Sequence, residues 1–304
     1  MNRFKDYIDA HIKEYPTARY RENEPMSEYT SFRIGGAAPV MFFPDSEGEL
    51  VSLIRTASRL GVKPLVIGKG TNLLVRDGEL SMPVIQTAGL SHVTVFGDGE
   101  MECACGAVLA AAATAALKAG LSGLEFAHGI PGSVGGAVLM NAGAYGGEMK
   151  DVVTSVRAIC PDGETREFSR EDCDFSYRHS RFSDSECVIL SAKMKLCAGD
   201  VNEIKARMEE LSRRRRDSQP LNMPSAGSTF KRPVGGYAAA LIDEAGLKGF
   251  SIGGAQVSEK HAGFVVNKGG ATFDDVCRLI EHIQKTVYEA SGIELEPEVK
   301  IIGR

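Results

Sequence analysis

The chain has 304 residues, 43% of them apolar and 25% charged, and a formal net charge of -5. That length is enough for two or three domains with a sizeable core, and the acidic balance argues against general nucleic-acid binding, which needs a basic surface. No run approaches the roughly eighteen apolar residues of a membrane span. The opening M-N-R-F-K-D-Y-I-D-A-H-I-K alternates charged and apolar residues where a signal peptide would carry an apolar run, so a cytoplasmic protein is expected.

In chain order, residues 46–60 read as an amphipathic helix. A Ser46/Glu49 capping pair opens it, Leu50, Leu53, Ile54, Ala57 and Leu60 share one face, and Gly61 closes it. K-P-L-V-I then reads as a short strand, and G-K-G-T-N-L-L-V (68–75) as a glycine turn into another. Residues 101–105 read as a strand that brings Cys103 and Cys105 to one face, and 106–118 as an alanine-rich helix ending at Gly120. Residues 152–160 and 165–168 flank P-D-G, a hairpin signal. Val188, Leu190, Ala192, Met194 and Leu196 alternate as a strand with one buried face. Val201, Ile204, Met208 and Leu211 mark a helix ending in Arg213–Arg216, and a domain boundary is expected near 198. Further helices are expected at 237–245 and 274–290, a strand at 263–267, and a last strand in E-L-E-P-E-V-K-I-I-G-R. The seven cysteines contain no C-x-x-C pair, which favours reduced thiols over a disulfide framework or a zinc site, and no metal is expected.

Four stretches can carry chemistry. G-I-P-G-S-V-G-G-A-V-L-M-N-A-G-A-Y-G-G-E-M (129–149) holds seven of the 34 glycines. It fits neither the Rossmann nor the P-loop pattern and admits two readings, an anion cradle of backbone N–H groups or a loop of tight turns. Gly68, Lys69, Gly70, Thr71, Asn72 and Leu73 form a second glycine turn, so the two turns could grip the two ends of an extended dinucleotide. F-S-Y-R-H-S-R-F (175–182) crowds Arg178, His179 and Arg181 among aromatics, which suits carboxylate or phosphate recognition or a polar loop. In P-S-A-G-S-T-F-K-R-P (224–233), Ser228 is a proton donor or a turn serine. In L-E-P-E-V-K-I-I-G (295–303), Glu296 and Glu298 share a strand face, either beside a site or as solvent-facing edge charges.

Taken together, Y-T-S-F-R-I-G-G-A-A, G-K-G-T-N-L-L-V, the 129–148 glycine segment, Y-R-x-S-x-F, A-G-S-T-F-K-R-P and E-P-E-V-K-I-I-G resemble the UDP-N-acetylenolpyruvoylglucosamine reductase family, in that family's order and across residues 29–303. The resemblance implies an α+β fold. It comprises an FAD-binding domain of the vanillyl-alcohol-oxidase (PCMH) type in two subdomains, 1–83 with the C-terminal strand 295–304 and 84–198, plus a C-terminal α+β substrate-binding domain at 199–294. Only fifty positions separate Arg178 from Ser228, which looks like the family's shorter branch, without the tyrosine-bearing insertion that covers the sugar nucleotide.

The resemblance further implies non-covalent FAD, with NADPH as the visiting hydride donor. The substrate would be UDP-N-acetylglucosamine enolpyruvate, reduced to UDP-N-acetylmuramate for peptidoglycan precursor synthesis. Matching positions give Arg178 and Glu298 the stabilisation of charge on the substrate carboxylate, with Glu298 protonated or sharing a proton, and give Ser228 the protonation of the adjacent carbon. FAD is expected at Gly68–Leu73, Gly129, Pro131, Gly132, Ser133, Gly135, Gly136, Asn141, Ala142, Gly143 and Ala144. Tyr177, Arg216, Lys231, Lys248 and His261 match positions near the sugar nucleotide, although Arg216 can instead cap its helix. Two rivals are an oxygen-using FAD oxidase of the same fold, which a flavin-linking His or Cys in the glycine loops would favour, and a phosphate- or RNA-binding module built on the arginine run. The second is disfavoured by charge and by the lack of interleaved aromatics.

Overall fold

The structure, a computed structural model, describes residues 4–303. The first three residues of the N-terminal stretch and Arg304, in the last expected strand, lie outside the described residues. The chain packs as two compact units. The first comprises the described residues up to Glu22, Pro39–Lys69 and Met82–Arg213; the second comprises Asn23–Ala38, Gly70–Ser81 and the described residues from Arg214 onward. Each has its own apolar core.

In the first unit, α1 (Lys5–Glu14) packs on α2 (Glu47–Arg59). Leu50, Leu53, Ile54 and Ala57 are buried as the 3.6-residue period requires. Leu60 departs from the expected stripe. It caps the helix C-terminus and is 41% exposed. Ser46 caps α2 by accepting the Glu49 N–H at 3.2 Å, but the Glu49 carboxylate does not return to Ser46. It accepts the Asp45 N–H at 2.8 Å and lies 3.2 Å from His11 Nε2, because α1 delivers His11 to that end of the helix.

His11 is fully buried, edge-on to Phe42 and stacked on Tyr15. Burial depresses its pKa below the ordinary histidine value, against the opposing pull of Glu49 and Glu14. A depressed histidine adds stability that is present above its unfolded pKa and lost as pH falls through the folded one. Going from about pH 8 to about pH 5, thermal unfolding followed by circular dichroism should therefore show a larger fall in Tm for the unaltered protein than for His11→Gln. Equal falls would remove His11 as the acid-sensitive group.

The strands Ala37–Phe42, Val84–Gln86 and Leu65–Ile67 pair in parallel in that order, with Tyr20–Pro25 beyond the first. An antiparallel sheet runs Thr165–Ser169, Val153–Ile159, Val188–Lys195, Glu100–Ala104, Val93–Val95. The P-D-G hairpin forms as expected, with Ile159 opposite Thr165. The Val188–Lys195 strand is more enclosed than its alternation suggests. Ile189 through Ala192 are all buried, because the strand is the middle of five and is packed by α4 (below); only Lys193 and Lys195 restore the alternation. The alanine helix α3 (Leu109–Lys118) lies in the core through Leu109, Ala112, Ala113 and Ala116. Two short helices follow, α4 (Val134–Leu139) and α5 (Arg181–Asp184). Burial pushes the Cys103 and Cys105 thiols up to about 12, so neither offers a thiolate near neutrality.

Helix α6 (Val201–Ser218) buries Ile204, Met208 and Leu211. Val201 is 46% exposed, outside the stripe it was expected to open. Arg215, four residues after Leu211, continues the stripe and is buried, while its three arginine neighbours are exposed. The arginine run is thus not uniformly a solvated helix end.

The second unit holds α7 (Ala238–Glu244) and α8 (Phe273–Ser291), an antiparallel sheet of Ser251–Ile252, Ala255–Val257 and Val265–Asn267, and the parallel pair Leu73–Val75 with Lys300–Ile302. Thr272 and Asp275 form a capping box for α8, and Gly292 ends it in the left-handed region at φ 70°. Its Val276, Leu279, Ile280, Ile283 and Val287 are buried, each contributing roughly 1.5–3 kcal/mol by leaving water. Among the described residues no helix is long and apolar enough to cross a membrane.

Candidate active site

The glycine-rich segment of the first unit resolves into a helix start and a hairpin. Ser133 is the N-cap of α4 and accepts the Gly136 N–H at 3.4 Å. The Val134 and Gly135 N–H groups donate to the carbonyls of Ala107 and Cys105, both at 2.8 Å. A Cβ on Gly135 would lie 2.9 Å from Cys105 Cβ, so Gly135 serves the packing of α4 on its neighbouring strand. A Cβ on Gly136 would meet nothing within 4 Å except Ser133 Oγ at 3.6 Å. Gly136 thus leaves an exposed, open patch of backbone on the first turn, as close approach by a bulky anion requires. Gly129, Pro131 and Gly132 lead into it.

The other turn comes to the same place, since a Cβ on Gly68 would sit 2.0 Å from Ser133 Oγ. The two glycine turns therefore meet at Gly68 and Ser133, beside exposed Lys69.

Beyond α4, Gly143–Ala144 and Gly147–Glu148 form a two-stranded hairpin. Its turn residues Tyr145 and Gly146 both have positive φ, 54° and 90°, the type I′ geometry that matches strand twist. Ala142, just before this hairpin, donates to the Ala137 carbonyl of α4 and accepts from Met149, just after it. Asn141 is buried at φ 40°. Its Nδ2 donates to Glu148 Oε2 at 2.8 Å and to the Ser176 carbonyl at 2.9 Å, and its Oδ1 accepts the Lys150 N–H at 3.0 Å. Its carboxamide thus locks the glycine segment to the loop carrying Arg178.

That loop is a tight turn. Ser176 and His179 exchange backbone hydrogen bonds at 3.1 and 3.3 Å, and Arg178 sits in the left-handed region at φ 55°. Such a conformation is uncommon for a residue with a side chain and clusters where function demands it. The half-buried guanidinium lies over the Tyr177 ring at 5.3 Å, and Nη2 donates to the Gly143 carbonyl at 3.4 Å. Tyr177 is half exposed. His179 instead faces Asp184, at 2.7 Å.

In the second unit the segment 224–231 runs between two others. On one side Ser225 bridges Val266, Thr229 donates to Gly263 at 2.8 Å, and Thr229 Oγ1 accepts from Val265 at 3.0 Å. On the other, Phe230 bridges Pro297, and Glu298 donates its N–H to the Thr229 carbonyl at 2.8 Å. Glu298 thereby lies opposite Thr229, with Ser228 one residue away along the pair. Ser228 is partly buried, follows Gly227 at φ 78°, and its hydroxyl has no hydrogen-bond partner among the described residues. Asn72 Nδ2 donates to the Glu298 carbonyl at 3.2 Å, and Leu73 pairs with Lys300. Gly70 packs so close that a Cβ would strike the Tyr29 carbonyl, with Thr71 beside it. Glu296 is exposed and holds Lys231 Nζ at 2.5 Å. Lys248 pairs with Asp243 at 2.5 Å, and its charge adds to burial in lowering the His261 pKa. Arg216 is exposed, with its carbonyl accepting Lys260 Nζ.

Sequence reasoning missed the Asn141 lock and the buried Arg215. The first leaves no local signal. The second was visible as four-residue spacing from Leu211.

Residues 219–302 match a family profile described as UDP-N-acetylenolpyruvoylglucosamine reductase, C-terminal domain, and residues 38–169 match one described as FAD binding domain. The chain is 50% identical to the UDP-N-acetylenolpyruvoylglucosamine reductase of Caldanaerobacter subterraneus subsp. tengcongensis, over 92% of this chain and 93% of that one. It is 44% identical to the protein of that name from Clostridium perfringens, over the whole of both. A crystal structure of UDP-N-acetylenolpyruvylglucosamine reductase from Thermus caldophilus superposes with a TM-score of 0.79 at 34% identity, covering 94% of this chain and 98% of that one.

Proposed function

Since the chain belongs to the UDP-N-acetylenolpyruvoylglucosamine reductases, we propose roles for its own residues in that reaction and NADPH as the reductant. The protein is an FAD-dependent oxidoreductase that reduces the enolpyruvyl group of UDP-N-acetylglucosamine enolpyruvate to give UDP-N-acetylmuramate for peptidoglycan synthesis. Its fold is the FAD-binding PCMH-type domain with a C-terminal domain.

The open backbone at Gly136, with Ser133, Gly68 and Lys69 beside it, fits the pyrophosphate of FAD. The N–H groups of Val134 and Gly135 and the amide of Asn141 are engaged within the protein, so these residues shape the cradle rather than donate to it, whereas among the described residues the Gly136 N–H is held only by its 3.4 Å bond to Ser133 Oγ, which a bound anion can replace. Bound FAD supplies the two-electron carrier between the nicotinamide and the methylene carbon of the enolpyruvyl group. Two substitutions test the cradle. Gly136→Val projects into open space and is expected to fold without retaining FAD. Gly135→Val drives atoms into Cys105, costing about 1–3 kcal/mol of stability by overpacking. A Gly136→Val protein that purifies with full flavin absorbance would place the cofactor elsewhere.

The other residues act on the substrate. As the methylene carbon gains hydride, negative charge builds on the conjugated carboxylate, and groups held ready for it lower the barrier most. Arg178 is held ready by its turn and by Tyr177, and we assign it the carboxylate. Ser228 protonates the adjacent carbon, and Glu298 stands beside it as the second acid. The observation that carries this assignment is Ser228 itself, a partly buried hydroxyl without a hydrogen-bond partner among the described residues, one residue before the Thr229 that pairs with Glu298. Tyr177, Lys231, Lys248, His261 and Arg216 are assigned to the sugar nucleotide. Lys231 and Lys248 would have to exchange their present carboxylate partners for it.

A further inference from the structure

The strand Val153–Ile159 ends at Cys160, and the strand Val188–Lys195 begins just after Cys187. The register that sets Ile159 opposite Val188 places Cys160 opposite Cys187. The backbone of Cys160 faces away from this pair. Its N–H donates to the Glu164 carbonyl and its own carbonyl accepts the Gly163 N–H, both at 2.9 Å. The Cys187 N–H donates to Ser185 Oγ at 3.4 Å. The two cysteines are therefore a non-hydrogen-bonded antiparallel pair, the kind whose Cα atoms approach to about 4.5 Å, within the span a disulfide bridges. The Cys160 thiol is close enough to that of Cys187 to help raise its pKa. Arg166, on the next strand, holds Asp162 near the Cys160 thiol. Cys160 is buried and Cys187 is partly exposed, so a reagent meets Cys187 first.

We propose that Cys160 and Cys187 form a dithiol site that small-molecule disulfides oxidise to an internal cross-strand disulfide. The Cys187 thiolate attacks one sulfur of the reagent, breaking its S–S bond and releasing one reagent thiolate. Cys160, its proton lost to water, then attacks the Cys187 sulfur, forming the Cys160–Cys187 bond and releasing the second reagent thiolate. Two protein thiols are oxidised, one reagent disulfide is reduced to two thiols, and the two protons pass to the released thiolates. Burial and the neighbouring Cys160 thiol hold the Cys187 thiol up at about 11, against the opposing pull of Ser185 and Arg166, so the first step is slow near neutrality and quickens with pH. The bridge would fix the exit of the segment that carries Arg178 to the turn end of the P-D-G hairpin.

The test is incubation of the full-length FAD-loaded protein with excess oxidised glutathione at about pH 8.5, followed by acid quenching, digestion and mass spectrometry. The expected result is a peptide pair joined through Cys160 and Cys187 with loss of two hydrogens, while exposed Cys197 carries a mixed disulfide. Cys160→Ser should lose the bridge completely and stop at a mixed disulfide on Cys187. Free Cys160 and Cys187 in a sample whose Cys197 has reacted would overturn the proposal. So would a mixed disulfide that persists on Cys187 in the unaltered protein.

Discussion

Ser228→Ala is expected to leave flavin reduction by NADPH unchanged and to slow reoxidation by the enolpyruvyl sugar nucleotide by about a hundred- to ten-thousandfold. Delivery of hydride to FAD requires no proton from Ser228, whereas hydride addition to the substrate stalls if the adjacent carbon stays unprotonated. The substitution removes one oxygen from a hydroxyl without a hydrogen-bond partner among the described residues. Folding and flavin content should therefore survive, since the neighbouring Thr229 keeps its ladder to Gly263 and Glu298. Ser228→Cys retains a proton donor and should keep more activity than the alanine variant. The two half-reactions are followed separately by rapid-mixing absorbance. Slow flavin reduction combined with normal reoxidation would make Ser228 a cofactor-positioning residue instead.

Arg178→Ala is expected to lower turnover by about a hundred- to a thousandfold, the usual cost of removing one donor aimed at developing charge. Arg178→Lys should recover little. An ammonium cannot present two parallel N–H groups to a carboxylate, and it lacks the planar group that lies over Tyr177. Both variants keep a side chain at φ 55°, so backbone strain is not what separates them from the unaltered protein. Steady-state kinetics with the enolpyruvyl substrate decides the matter, and near-normal turnover in the lysine variant would show that the planar fork is unnecessary.

The elements most legible in the sequence were those specified locally. The α8 stripe and the hairpin about P-D-G lie where period and turn chemistry place them. The glycine segment was visible as a site candidate, but composition alone did not divide its labour. Gly135 yields to Cys105, Gly146 makes a turn, and Gly136 lies open. That division depends on a strand some thirty residues earlier in the chain. The pairing of 229–231 with 296–298 was equally out of reach, because it joins segments more than sixty residues apart. It turns two separate motifs, a serine in a glycine turn and a glutamate before the last strand, into neighbours. Arg215 was hidden for a different reason, since a charged side chain in a run of four is read as solvated before its position on the helix is weighed.

The central claim is that electrons taken up by the flavin leave to the enolpyruvyl sugar nucleotide. It is tested most directly by reducing the FAD-loaded protein with NADPH under strictly anaerobic conditions and then mixing in UDP-N-acetylglucosamine enolpyruvate. The predicted result is prompt return of the oxidised flavin band, with UDP-N-acetylmuramate formed in equal amount. A band that stays bleached until oxygen is admitted would contradict the account and point to an oxidase.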